Sequence, residues 1–108
     1  MYKERRHPQR YAFAAAAEVE DSVCVCQARV ADLSIAGAYF VLPDFFPEGA
    51  SVLVKIRTKT AFFQCHATVA HSSPQGMGVK FREINQPFLI VLEEWLLKAM
   101  REPIADRH

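Results

Sequence analysis

The sequence predicts a mainly β domain, six antiparallel strands closing fully or partly into a barrel, with one α-helix at the C-terminal end. Three observations carry this. Short stretches of alternating apolar and polar residues recur along the first 81 positions, punctuated by turn residues. Apolar residues spaced at three and four appear after residue 85. A sheet this small exposes unpaired edges unless it closes on itself.

The elements follow in order. Ala12 to Glu20 mixes small residues with Phe13 and Val19, and Val23 to Ala31 alternates more clearly, so Asp21-Ser22 reads as the turn of a hairpin. Ala38 to Leu42 begins the next strand immediately after Gly37, and Pro43 with Pro47-Glu48-Gly49 marks a loop. Ser51 to Thr58 alternates over much of its length, and Lys59-Thr60 turns the chain into a long strand from Ala61 to His71. Ser72-Ser73-Pro74-Gln75-Gly76 breaks that strand, and Met77 to Phe81 forms the last one. Asn85 is placed to cap a helix starting near Gln86 and Pro87, since proline is tolerated in a first turn. Phe88, Val91, Leu92, Trp95, Leu96 and Ala99 share one face of about four turns, and Pro103 ends the helix. Trp95 is expected to pack that face on the barrel or on a partner.

At 108 residues, 51% of them hydrophobic, the chain makes one domain spanning 1–108, with a real core but no room for a second. The formal charge is only +1, yet Lys3, Arg5, Arg6 and Arg10 stand against Glu4 alone near the N-terminus. Such local basicity suits a small anionic ligand rather than a nucleic-acid polymer. No stretch approaches the roughly 18 apolar residues of a membrane span, and the charged N-terminus has no signal-peptide core behind it. The expected location is the cytoplasm, without membrane insertion. Cys24 and Cys26 fall on one face of a predicted strand and Cys65 on another, a pattern without zinc or redox spacing, so all three read as reduced. His7, His66, His71 and His108 are scattered, and no metal or cofactor is proposed. No P-loop or supported catalytic triad is present, and Gly76-Met77-Gly78 lacks the third glycine of a dinucleotide fingerprint. Binding without turnover is the expectation.

Two motifs remain. Arg6 and Arg10 form R-x-x-x-R, and Asp32, Ser34 and Gly37 form D-x-S-x-x-G. With Gly78-Val79-Lys80-Phe81, they resemble the PilZ family, whose members bind the bacterial second messenger cyclic diguanylate. The resemblance implies a six-stranded PilZ-type barrel at 12–82, an N-terminal arm at 1–11 and a helix at 86–101. It implies ligand contacts from Arg5, Arg6, Arg10, Asp32, Ser34 and Gly37, and an effector protein, as yet unidentified, that receives the signal. An arginine at position 5 accompanies binding of an intercalated ligand pair in this family, which favours two ligand molecules over one. The downstream process stays open.

The residue types suit that ligand. An arginine fork can be bidentate to phosphate or to guanine O6 and N7, and its flat face stacks on a purine. A carboxylate accepts from guanine N1–H and N2–H together, so Asp32 is the expected discriminator of guanine. His7 precedes Pro8, which biases residues 6–10 toward a turn-like arm, mobile when empty, that folds over a ligand. Asp32 and Ser34, two apart, would face the same side of an extended stretch, and Gly37 would permit a positive φ or close ligand approach. Two other functions compete. One is an adaptor acting through the apolar helix, where Phe88, Trp95 and Met100 could dock a partner or a second copy. The other is a small-barrel nucleic-acid binder using Tyr39, Phe40, Phe62 and Phe63 as platforms near Lys55, Arg57, Lys59 and Lys80.

Overall fold

A computed structural model describes residues 8–44 and 46–101. The strands are β1 (Tyr11–Glu20), β2 (Val25–Leu33), β3 (Gly37–Val41), β4 (Ser51–Arg57), β5 (Phe62–Ser73) and β6 (Gly76–Phe81), followed by α1 (Gln86–Arg101). They close in the order β1-β2-β3-β6-β5-β4, every neighbouring pair antiparallel. Closure satisfies both sides of each strand, which a six-stranded open sheet could not do. The expected barrel and helix are therefore present.

Alternation along the strands builds the interior. Cys26, Ala28 and Val30 of β2, Val52, Val54 and Ile56 of β4, and Phe63, Cys65, Ala67 and Val69 of β5 are all buried. Each larger aliphatic or aromatic side chain so buried contributes about 1.5–3 kcal/mol relative to exposure. Phe40 and Phe63 have no exposed surface. They are core residues and offer no stacking face to a nucleic acid. The β3–β4 connection also contributes, because Phe46 is buried with the core. That loop is pinned by Gly49 N–H to the Val69 carbonyl at 2.8 Å and by Val69 N–H to the Ala50 carbonyl at 2.9 Å. Gly49 takes φ of 90°, a conformation that favours glycine.

The helix begins where the sequence indicates. The Asn85 carbonyl accepts from the N–H groups of Phe88 and Leu89 at 2.9 and 3.0 Å, and Pro87 sits in the first turn. Lys98 and Arg101 occupy the last turn, favourable to the helix dipole. Leu92 and Trp95 are buried against the barrel. Trp95 lies 5.0 Å from Phe13 and 6.2 Å from Phe63, ring centre to ring centre, and Phe63 also meets Phe81 at 5.2 Å and Phe88 at 6.3 Å. These aromatic pairs join helix to sheet. They also correct the expected docking surface: Trp95 is buried and Phe88 half-buried, and the exposed apolar residues of α1 are Ile90, Leu97 and Met100.

The first hairpin is tighter than its alternation implies. Asp21 Oδ1 accepts the N–H groups of Val23 and Cys24, both at 2.9 Å, and Asp21 N–H donates to the Cys24 carbonyl at 3.0 Å. Hydrogen bonds from the backbone of Cys24, then Val23, hold the Asp21 carboxyl below its usual range. Cys24 is thereby drawn into the turn and is exposed, whereas Cys26 and Cys65 are buried. The expectation that Cys24 and Cys26 sit together on a strand does not hold. Burial is the main influence pushing the Cys26 and Cys65 thiols up, as suits unreactive packing residues. No cluster of metal ligands occurs among the described residues, and none of their helices is long and apolar enough to cross a membrane.

Candidate functional site

Asp32 reaches the surface through an irregularity. Strict alternation from buried Val30 would turn residue 32 inward. Instead the register between β2 and β3 slips by one residue between Val30 and Asp32, and Leu33 becomes the next buried position. A bulge of this kind re-aims one side chain without unmaking the strand. The Asp32 side chain is left 31% exposed, while Leu33 fills the core.

Ser34 lies beyond the end of β2, and its extended pairing with Asp32 on one side is not what the chain adopts. Its Oγ accepts from Ala36 N–H and Gly37 N–H, both at 3.1 Å, and donates to the Gly37 carbonyl at 3.3 Å. Ser34 N–H reaches the same carbonyl at 2.8 Å. The residue is 4% exposed. Its hydroxyl thus shapes the β2–β3 turn, a local serine turn, and the residue also lines the cleft described below. The turn is tied to β6 by Phe81 N–H donating to the Ala36 carbonyl at 2.8 Å.

Gly37 is required by the packing of the barrel itself. Its φ is not positive, and the close approach is to the protein's own backbone. Gly37 pairs with Lys80, and a Cβ there would collide with the Val79 carbonyl oxygen and come within 3.1 Å of its carbon and 3.3 Å of Lys80 Cα. Backbone cannot yield as a side chain can. Gly37→Ala is therefore expected to lower stability by at least the 1–3 kcal/mol or so typical of overpacking. Gly78→Ala, whose nearest neighbour is a Tyr39 ring carbon at 3.8 Å, serves as the tolerated control in the same urea titration.

Above this turn lies the end of the arm. Residues 8–10 are exposed and irregular, and Arg10 Nη1 donates to Asp32 Oδ1 at 2.6 Å. The two motifs therefore meet in space although 22 residues separate Arg10 from Asp32. Arg5 and Arg6 lie outside the described residues. A cleft of about 490 Å³ opens beside the pair, walled by residues 8–10, by Ser34, Ala36 and Gly37, and by Val79 and Lys80 of β6. This falls within the size range of small-molecule sites. Lys80 was not among the expected site residues. The signal was present, since a register pairing Gly37 with Lys80 would have brought it there, but register is not readable from one strand.

The described residues form a small closed barrel that presents a charged, ligand-sized cleft at one turn. A family model described as PilZ domain matches residues 4–98, and the chain belongs to that family, one of receptors for cyclic diguanylate. Among solved structures it is similar to the inhibitor of motility MotI/DgrA of Bacillus subtilis, with a TM-score of 0.74 at 18% identity, over 94% of this chain and 54% of that one. This chain thus spans about half the length of that relative. It is also similar to the PilZ domain of CeSA from a cellulose-synthesizing bacterium, with a TM-score of 0.68 at 13% identity, over 87% of this chain and 99% of that one. At these identities the likeness shows the fold alone. No curated protein matches the sequence.

Proposed function

We propose that this PilZ domain is a cytoplasmic receptor for cyclic diguanylate that binds its ligand without turning it over and reports binding to an effector protein. The observation that carries the reading is the meeting of Arg10 and Asp32 at 2.6 Å, one from each motif, beside a cleft of about 490 Å³. Their side chains are 51% and 31% exposed. An ion pair so exposed is worth no more than about 1 kcal/mol, whereas a hydrogen bond to a charged group contributes about 1.5–3 kcal/mol. A ligand that offers Asp32 the N1–H and N2–H of guanine, and Arg10 a phosphate or the O6/N7 edge, therefore displaces the pair at little cost. Arg6 supplies the second cation of the motif and Arg5 favours a second ligand molecule. Ser34 and Gly37 act by holding the turn.

Signalling follows from connectivity. Ligand contacts to Arg10 on the arm and Asp32 on the barrel restrict the motion of one against the other, and a partner sensitive to the arm's position reads the change.

Calorimetric titration with cyclic diguanylate tests this reading. Saturable binding with two molecules per chain is expected, and GMP, which lacks the second guanine and the cyclic backbone, is expected to bind far more weakly. Absence of saturable binding would overturn it. A protein-docking role through exposed Ile90, Leu97 and Met100 on α1 would then take first place.

A further inference from the structure

Lys80 projects from the exposed side of β6 directly across from Gly37 and lines the same cleft as Arg10. Two features make its charge the available one. Arg10 is already engaged by Asp32, and Lys80 has no ion-pair partner among the described residues. Its cross-strand neighbours are Gly37 on β3 and Thr68 on β5, neither charged, and Gly37 has no side chain to occupy the space beside it.

We infer that Lys80 is an anion-binding residue of this cleft, contacting a phosphate of the ligand as a point charge. The inference rests on the cleft being the ligand site, and it adds a cation that neither motif contains. Arginine suits bidentate contact with a base edge or a phosphate, and lysine suits a single phosphate oxygen approached over a flexible stem. Two cationic groups lining one cleft, Arg10 from the arm and Lys80 from the barrel, suit a ligand that carries two phosphodiesters. Because Lys80 is on a paired strand, its charge stays in place whatever the arm does.

Two titrations of the full chain decide the matter. In the first, cyclic diguanylate is titrated calorimetrically into wild type, Lys80→Ala and Lys80→Arg. Lys80→Ala is expected to weaken binding about tenfold, the value of one charge-assisted contact. Lys80→Arg is expected to restore most of the affinity, and the gap between variants should narrow at high salt. In the second, inorganic pyrophosphate is added while backbone amide resonances are followed, with shifts expected at Gly37 and Lys80 in wild type and none in Lys80→Ala. Equal affinity for cyclic diguanylate in wild type and Lys80→Ala overturns the role of Lys80 and leaves the receptor reading standing. Failure of wild type to bind the dinucleotide, with pyrophosphate shifts intact, overturns the receptor reading and leaves the anion site standing. Shifts unchanged in Lys80→Ala remove Lys80 from the anion site.

Discussion

Phe63→Ala is expected to destabilise the domain by about 3–5 kcal/mol, the range for deleting a buried aromatic ring. Phe63 is fully buried and touches ring systems from three directions, Phe81 on β6 and Phe88 and Trp95 on α1. Its removal leaves a cavity under the helix as well as losing transfer energy. The neighbouring Phe62 provides the comparison, since it is half-buried and contacts Phe88 at 6.1 Å with the Arg57 guanidinium 5.6 Å above its ring. Phe62→Ala should cost clearly less. Thermal unfolding followed by Trp95 fluorescence reads both, and a loss of several kcal/mol lowers the midpoint by more than about 10 °C in a domain of this size. Equal, small shifts for the two variants would mean that the helix is not anchored through this cluster.

Arg10→Ala is expected to reduce affinity for cyclic diguanylate about tenfold to a hundredfold, corresponding to the roughly 1.5–3 kcal/mol of a charge-assisted contact. Stability should hardly move. The residue is exposed in an irregular segment, and its pairing with half-exposed Asp32 contributes at most about 1 kcal/mol. The two readouts separate ligand recognition from folding in one variant. Unaltered affinity would remove the arm from the site, and a collapse in stability would show that the Arg10–Asp32 pair closes the barrel rather than awaiting a ligand.

These two predictions draw on different levels of information. The strands and the helix are legible from the sequence because their signals are local. Period-two alternation in Ser51 to Thr58, the break at Pro74-Gln75, and Asn85 before Pro87 each lie within a few residues of the element that they specify. The observed strands differ from the expected ones only at their ends, where β2 starts at Val25 and β5 runs on to Ser73. The spacing of R-x-x-x-R and D-x-S-x-x-G likewise sufficed to indicate the family.

What the tertiary structure decided concerns direction and partnership. Phe40 and Phe63 could have faced outward as platforms, and pairing with neighbouring strands turned them into the core. Phe46 sits in a proline-marked loop yet joins that core. Asp32 points away from the interior because the β2–β3 register slips by one residue, Ser34 spends its hydroxyl on its own turn, and Gly37 answers to the Val79 carbonyl. Lys80 enters the cleft by standing opposite that glycine, 43 positions along the chain. Alternation repeats every two residues whatever the partner strand, so the chain by itself determined where its strands run and which residue types they carry. Register and bulges depend on hydrogen bonds between strands distant in sequence, and only the closed barrel decided which of those side chains meet at the cleft.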